Sequence, residues 1–406
     1  MRRRGLAILL AALALIGGAA LAVRVRASPR PEGREAVIRD DDPYCARVAA
    51  FVSGLVPDPA SYAARCLAEG IAEASSLADA SADSARPIDS ARIDRVDARL
   101  RFAQTLYPEG SAECRIAMAY RIVLRLYQKA LDEGVTNRAD WPRLHIANGA
   151  PSARSAFLVH GFSATPRQLK RQADFLAARG FNVFTVRLTG HGGDARLLAS
   201  GNYRDWLADG ETAYRVASLI GDAVYGFGNS MGGAIVLHVA TGHPVAGIGV
   251  GAPALYLKNR LAETYALDAL ADLARIPFIG TLFPGVTFDD EYGYHTVPQP
   301  YGAILEERKL AWAVRRELHA LSFPLFAAWN AGDDTIDADR CIAFLGSLPA
   351  TASVTLREYP GHGHTLWDVA TRPIGGHESL LGQTDRMERY FRESVEYTCG
   401  AGGQEK

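Results

Sequence analysis

The chain has 406 residues, 48% of them hydrophobic, which is enough for a substantial core and excludes wholesale disorder. Its 44 Lys and Arg against 45 Asp and Glu leave a formal net charge of −1, so no basic surplus points to nucleic acid. The length leaves one large domain or two open.

The first residues differ from the rest. Met1-Arg2-Arg3-Arg4 precedes an uncharged run from Gly5 to Val23, rich in Leu and Ala. A basic stretch followed by such a run marks residues 1–27 as a signal peptide or an N-terminal membrane anchor. The run is at the short end of what spans a bilayer. Val25-Arg26-Ala27 is an imperfect cleavage site, so an uncleaved anchor is preferred to a cleaved signal. The expectation is a membrane-anchored protein whose bulk lies outside the cytoplasm, periplasmic-like, or a secreted one if the segment is removed. Five cysteines fit that compartment: Cys45, Cys66, Cys114, Cys341 and Cys399. No Cys-x-x-Cys spacing occurs, disulfides are open to formation in an oxidising compartment, and the odd count leaves one thiol over.

Residues 28–43 carry Pro29, Pro31 and Asp40-Asp41-Asp42-Pro43 and read as a linker. Residues 44–150 read as a helical extension of unknown role, interrupted at Pro57 and Pro59 and turning over 81–90. Its strongest signal is Glu113 to Leu131, where Ile116, Tyr120, Val123, Leu124, Tyr127 and Leu131 recur at three- and four-residue spacing. Gly134 stops it. The extension carries no catalytic motif, and a cap or spacer between membrane and catalytic domain is the expected role.

From residue 151 to 399, apolar strand-like runs alternate with helical stretches, the pattern of an α/β fold with a mostly parallel sheet. Strands are expected at 156–159, 182–188, from 224 to the serine turn, and at 245–250, 324–329 and 353–359. Helices are expected at 165–179, with Pro166 in the first turn, and at 203–219. Between about 252 and 322 the alternation fails. That stretch holds Phe278, Phe283, Phe288, Tyr292, Tyr294 and Tyr301, which suit either an acyl-binding lining or the segment's own packing.

The most informative stretch is Val224-Tyr225-Gly226-Phe227-Gly228-Asn229-Ser230-Met231-Gly232-Gly233: a strand, a glycine turn with serine at its apex, then a helix. This is the form of a nucleophile elbow, Gly-x-Ser-x-Gly, where residues flanking the serine must let backbone pass closely. Two further motifs end strands in the order such a site needs. They are Leu158-Val159-His160-Gly161-Phe162-Ser163-Ala164-Thr165-Pro166 and Arg187-Leu188-Thr189-Gly190-His191-Gly192.

Together the three motifs resemble the carboxylesterase and monoacylglycerol-lipase branch of the α/β-hydrolase superfamily, over residues 155–396. The resemblance implies an α/β-hydrolase fold with a lid at about 252–322 and a Ser, Asp, His triad. Ser230 is then the nucleophile. The acid is Asp333 of Gly332-Asp333-Asp334-Thr335-Ile336, with Asp334 as alternative and Asp337 as a helix cap. The base is His364, followed by Thr365-Leu366-Trp367-Asp368, with His362 as alternative. Backbone amides of Phe162 and Met231 would form the oxyanion hole. His160, His191 and His238 are expected to be structural, and no helical His-x-x-x-His or Glu-x-x-His group supports a metal.

The function so implied is serine hydrolysis of a carboxylic ester, lipid-like or monoacylglycerol-like, through an acyl-enzyme. An acyltransferase or thioesterase on the same fold, or a non-catalytic binding protein, are the alternatives. The expected partners are a small-molecule ester or lipid and, through the N-terminal segment, a membrane. No cofactor, metal or nucleic acid is expected, and no protein partner is indicated.

Overall fold

In the computed structural model, the residues described are 59–78, 88–258, 263–276, 282, 284–288, 290, 293–362, 364 and 390–399. The anchor-like segment, the linker, Cys45, Phe278, Phe283, Tyr292 and the residues after His364 up to 389 lie outside them. Among the described residues no helix is long and apolar enough to cross a membrane.

Among the described residues seven strands form one sheet: β1 (Arg143–His145), β2 (Ser152–Val159), β3 (Asn182–Val186), β4 (Gly221–Asn229), β5 (Gly247–Gly251), β6 (Leu325–Gly332) and β7 (Val354–His362). Their spatial order is β1-β3-β2-β4-β5-β6-β7, and every pairing is parallel except β1 with β3. The fold is therefore the expected α/β one. The apolar runs bury both faces because successive side chains alternate across a strand. Phe157 and Val159 of β2 join one core, whereas Ala156 and Leu158 join the other. In β6, Leu325, Ala327 and Trp329 face the first core and Phe326 and Ala328 the second.

The second core is closed by α4 (Lys170–Ala177) and by a helix over 390–399, which contributes Tyr390, Phe391 and Val395. The first core is closed by α6 (Tyr203–Ile220), α7 (Met231–Gly242) and, above them, α9 (Tyr301–Glu317). Two differences from expectation have local causes. Pro166–Leu169 is a tight 3-10 turn, so the helix expected from 165 begins at Lys170. A short helix α5 (Ala195–Ser200) follows the glycine-rich turn, capped by Asp194, whose carboxylate accepts the Arg196 and Leu197 N–H groups.

The extension contributes α1 (Pro59–Ala78), α2 (Ser90–Thr105) and α3 (Ala112–Asp132). Ser111 caps α3 by accepting the Cys114 N–H at 3.2 Å. Its apolar stripe, including Val123, Leu124 and Tyr127, is continuous with the main core. Polar contacts tie the same helix to the body. The Arg115 guanidinium donates to the carbonyls of Ser218, Leu219 and Gly221 at 3.0–3.3 Å, closing the C-terminus of α6. Lys129 pairs with Asp209 at 3.0 Å, and Glu133, just past α3, pairs with Arg187 at 2.7 Å. Strand β1 also precedes residue 151, so the sheet begins inside the stretch expected to be purely helical. Its three residues, two half-buried and the last exposed, give too short a pattern to read as a strand.

Between β5 and β6 the lid stretch holds α8 (Tyr265–Ala274) and α9. Arg308 of α9 is buried and joins them by donating to the Thr264 carbonyl and pairing with Asp268 at 2.8 Å. The exposed large apolar side chains of the described residues all fall in this stretch: Tyr265, Leu270, Ile276, Leu282, Val286, Phe288, Val297 and Trp312. None of the four described cysteines, Cys66, Cys114, Cys341 and Cys399, is in a disulfide.

Candidate active site

The order in which strands are laid down reverses between β2 and β4, which run parallel: the connection from β2 leads to β3 on one side, and β4 lies on the other. In an open parallel sheet the crevice beyond the carboxyl ends at such a switch is where ligands bind. Ser230 follows β4 and Phe162 follows β2, so both stand at this crevice.

Ser230 has φ 54° and ψ −120°, a strained conformation for a residue with a side chain. Neighbouring backbone holds it: its N–H donates to the Gly251 carbonyl at 2.8 Å, and its carbonyl accepts the Ala254 N–H at 3.0 Å. The flanking glycines have a steric cause. A Cβ on Gly228 would stand 2.4 Å from the Gly232 carbonyl oxygen, and one on Gly232 would stand 2.0 Å from that of Val159. Neither position admits a side chain while α7 packs this tightly on β2 and β4.

Asp333 and His364 complete a hydrogen-bonded chain to this serine. His364 Nε2 lies 2.7 Å from Ser230 Oγ, and Nδ1 lies 2.8 Å from Asp333 Oδ2. The Asp333 side chain is sealed from solvent, and its Oδ1 accepts the N–H groups of Thr335 and Ile336, both at 2.9 Å. Burial alone would raise the Asp333 carboxyl, but His364 and these two amides outweigh it, so its pKa lies below the usual value. Burial likewise disfavours the His364 imidazolium. Asp333, assisted by Glu307 and Asp334, reverses that and raises its pKa above the ordinary histidine value. An anionic Asp333 fixes the proton on Nδ1 and leaves Nε2 to accept from Ser230.

Beside the serine, the loop after β2 is shaped by His160. The Leu188 N–H donates to its Nε2 at 3.1 Å, so Nδ1 carries the proton and donates to the Gly161 carbonyl at 2.9 Å. Full burial keeps this imidazole neutral, with a pKa far below the usual one. The Gly161 N–H is taken by Gln168 Oε1 at 2.7 Å. No backbone carbonyl of the described residues takes the Phe162 N–H. Met231 is the first residue of α7, where a helical N–H has no intrahelical acceptor.

A family model described as the alpha/beta hydrolase family matches residues 156–375, more than half of the chain, and includes all of these groups. The chain belongs to the alpha/beta hydrolase family. A curated relative, the thermostable monoacylglycerol lipase of Bacillus sp. (strain H-257), is 35% identical over 87 residues, or 21% of this chain. The match spans only 35% of that relative's length. Among solved structures, the monoacylglycerol lipase of Paleococcus ferrophilus is 15% identical, with a TM-score of 0.48, over 64% of this chain and 98% of its own. A soluble variant of the Saccharomyces cerevisiae monoglyceride lipase, solved with a substrate analogue, is 17% identical, with a TM-score of 0.48, over 64% and 91%.

The paired alternatives left by the sequence stand in different places. Asp334 is exposed, its carboxylate accepting the Thr335 hydroxyl at 3.1 Å, while Asp333 points inward to His364. His362 is the last residue of β7, and His364 lies two beyond it, where the chain has left the sheet. His191 is buried against Phe162 and Trp206, and burial lowers its pKa to about 3. His238, on α7, pairs at 2.6 Å with Glu317 of α9. No cluster of three or more His, Cys, Asp or Glu side chains suited to a metal exists among the described residues.

One group near the site escaped the sequence reading. Glu307 of α9 is buried within the stripe Ala303, Glu307, Leu310, Val314, whose other members are apolar. Burial pushes its carboxyl up to about 7, with a smaller opposing pull from His364. An acid at an apolar position of a helical stripe was its only signal, and the stripe itself was hidden in the irregular stretch between β5 and β6.

Proposed function

We propose that this α/β-hydrolase cleaves carboxylic esters by nucleophilic catalysis, with Ser230 as nucleophile, His364 as base and Asp333 as the orienting acid. The observation that carries the reading is the continuous chain from Ser230 Oγ through His364 to a sealed, anionic Asp333. Ser230 attacks the ester carbonyl as His364 Nε2 takes its proton. The negative charge developing on the carbonyl oxygen is met by the amides of Phe162 and Met231. Collapse of the tetrahedral adduct expels the alcohol, which receives the proton from His364, and leaves the acyl group on Ser230. Water, deprotonated by His364, then releases the acid and restores the serine.

A lipid-like or monoacylglycerol-like ester is the favoured substrate. Two features support that class: the apolar side chains exposed on the lid, and the partial similarity to a monoacylglycerol lipase. An anchor in residues 1–27 would hold such an enzyme at a membrane with its body outside the cytoplasm, a reading supported by Arg2-Arg3-Arg4 before the Gly5–Val23 run.

The test is a series of p-nitrophenyl esters of increasing acyl length, assayed with the full chain and with Ser230→Ala. The variant is expected to lose on the order of 10⁶ in kcat. Hydrolysis by Ser230→Ala at the parent rate would refute the mechanism. A rate that falls steeply with acyl length would refute the lipid-like class alone.

A further inference from the structure

Ser163, directly after Phe162, is fully buried and has φ 58°, the left-handed region that a residue with a Cβ seldom occupies. What holds it there comes from the lid, more than 130 positions along the chain. The Thr296 N–H donates to the Ser163 carbonyl at 2.8 Å. Gln299 Nε2 donates to Ser163 Oγ at 2.8 Å, and His295 Nδ1 lies 3.2 Å from the same oxygen. His295 also bonds the backbone of Phe162, and burial lowers its pKa to about 4, so it is neutral at pH 7. The Ser163 hydroxyl oxygen thus accepts from Gln299 and lies within hydrogen-bonding reach of His295 Nδ1.

The lid stretch that delivers these groups is itself braced. Asp290 accepts the N–H groups of Gly293 and His295, both at 3.0 Å. The Thr296 hydroxyl donates to the Gly193 carbonyl at 2.9 Å, and Arg167 donates to that of Gly293 at 2.6 Å. Gln299 exchanges a pair of backbone hydrogen bonds with Val286. The backbone around Phe162 is therefore set by a half-buried clamp whose other half belongs to the lid.

We propose that Gln299, with His295 and Thr296, positions the Phe162 amide through Ser163, so that the lid completes the oxyanion-binding loop. The proposal rests on the serine-hydrolase reading above. These are positioning residues, since they touch the loop and not the reacting atoms. An oxyanion donor matters only as charge develops, so a misplaced amide lowers kcat and leaves ground-state binding nearly intact.

The test compares Gln299→Ala and Ser163→Gly with the parent on one p-nitrophenyl ester. Gly adopts positive φ without strain, so Ser163→Gly removes both side-chain bonds while keeping the backbone conformation accessible. Each variant is expected to lose about 10- to 100-fold in kcat, a fraction of the 10²–10³ lost with a whole oxyanion donor, with KM within about twofold. A trifluoromethyl ketone carrying the same acyl chain, which forms a tetrahedral oxyanion on the serine, should lose affinity in proportion to kcat/KM. Thermal unfolding of each variant accompanies the kinetics. Parent-like kcat in Ser163→Gly, a loss confined to KM, or unchanged affinity for the ketone would overturn the proposal. If Ser230→Ala is inactive while Ser163→Gly is normal, only this inference fails. If Ser230→Ala is active, the hydrolase reading fails with it.

Discussion

Replacing Glu307 by Gln isolates what a buried carboxyl beside His364 does to the fold. Burial pushes the Glu307 carboxyl up to about 7 from its ordinary 4.5. The folded protein therefore holds this proton more tightly than the unfolded chain does. Stability is unaffected below the unfolded pKa and falls as pH rises through the window from 4.5 to about 7. At 1.36 kcal/mol per pKa unit, the charged form costs the fold about 3 kcal/mol once pH exceeds the upper value. Gln has nearly the same shape and cannot ionise. Any fixed cost of its buried amide is the same at every pH and cancels in a difference between two pH values. Urea unfolding of parent and Glu307→Gln at pH 5 and pH 8 should show the variant gaining about 2 to 3 kcal/mol relative to the parent between the two conditions. A stability difference that does not change with pH would refute the burial argument.

Three further outcomes follow from the same geometry. Asp333→Asn should leave the fold intact and lower kcat by about 10⁴, because an amide no longer imposes the Nδ1–H tautomer on His364; steady-state kinetics beside a thermal melt would show it, and a loss under tenfold would remove Asp333 from its assigned role. The kcat/KM of the parent should rise with pH through a limb above the ordinary histidine value, since neutral His364 is the active form and its imidazolium is stabilised by Asp333, Glu307 and Asp334. Glu307→Gln should move that limb to lower pH, and a shift in the other direction would contradict the assignment. Gly232→Ala brings a Cβ within 2.0 Å of the Val159 carbonyl oxygen, so the variant should lose more than about 4 kcal/mol of stability or fail to accumulate; a melt matching the parent's would mean that the elbow is looser than the structure has it.

Much of this architecture was legible in the chain because local sterics and burial dictate it. Gly228 and Gly232 are where they are because carbonyls of the elbow and of β2 pass within reach of any Cβ, and that constraint survives as a spacing. The buried strands read as apolar runs because parallel strands covered on both faces have no polar side. Where two like residues stood together, the sequence left a choice. Asp333 and Asp334 differ only in which way the chain turns after β6, and His362 and His364 only in which one has left β7. Side-chain direction at a strand end depends on a bulge or a turn that no periodicity records; β6 and β7 shift register near Asn330 and Gly332.

Contacts between distant segments were not legible at all. The clamp of His295, Thr296 and Gln299 on Ser163 joins two loops, and polar loop residues carry no pattern that names a partner. The role of α3 was half legible. Its stripe at three- and four-residue spacing announced a buried face, but the surface it meets on α6 is set by the tertiary fold. Arg115, Lys129 and Glu133 look like ordinary solvated charges until α6 and the Arg187–Gly190 turn are placed beside them.

The central claim is that Ser230, activated by His364, is the nucleophile. Its most direct measurement is the intact mass of the folded protein after treatment with a fluorophosphonate at pH 8, for the parent and for Ser230→Ala. One stoichiometric phosphonyl adduct on the parent, located at Ser230 by peptide mapping, and none on the variant, is the result predicted. An unmodified parent, or an adduct that persists in Ser230→Ala, would contradict it.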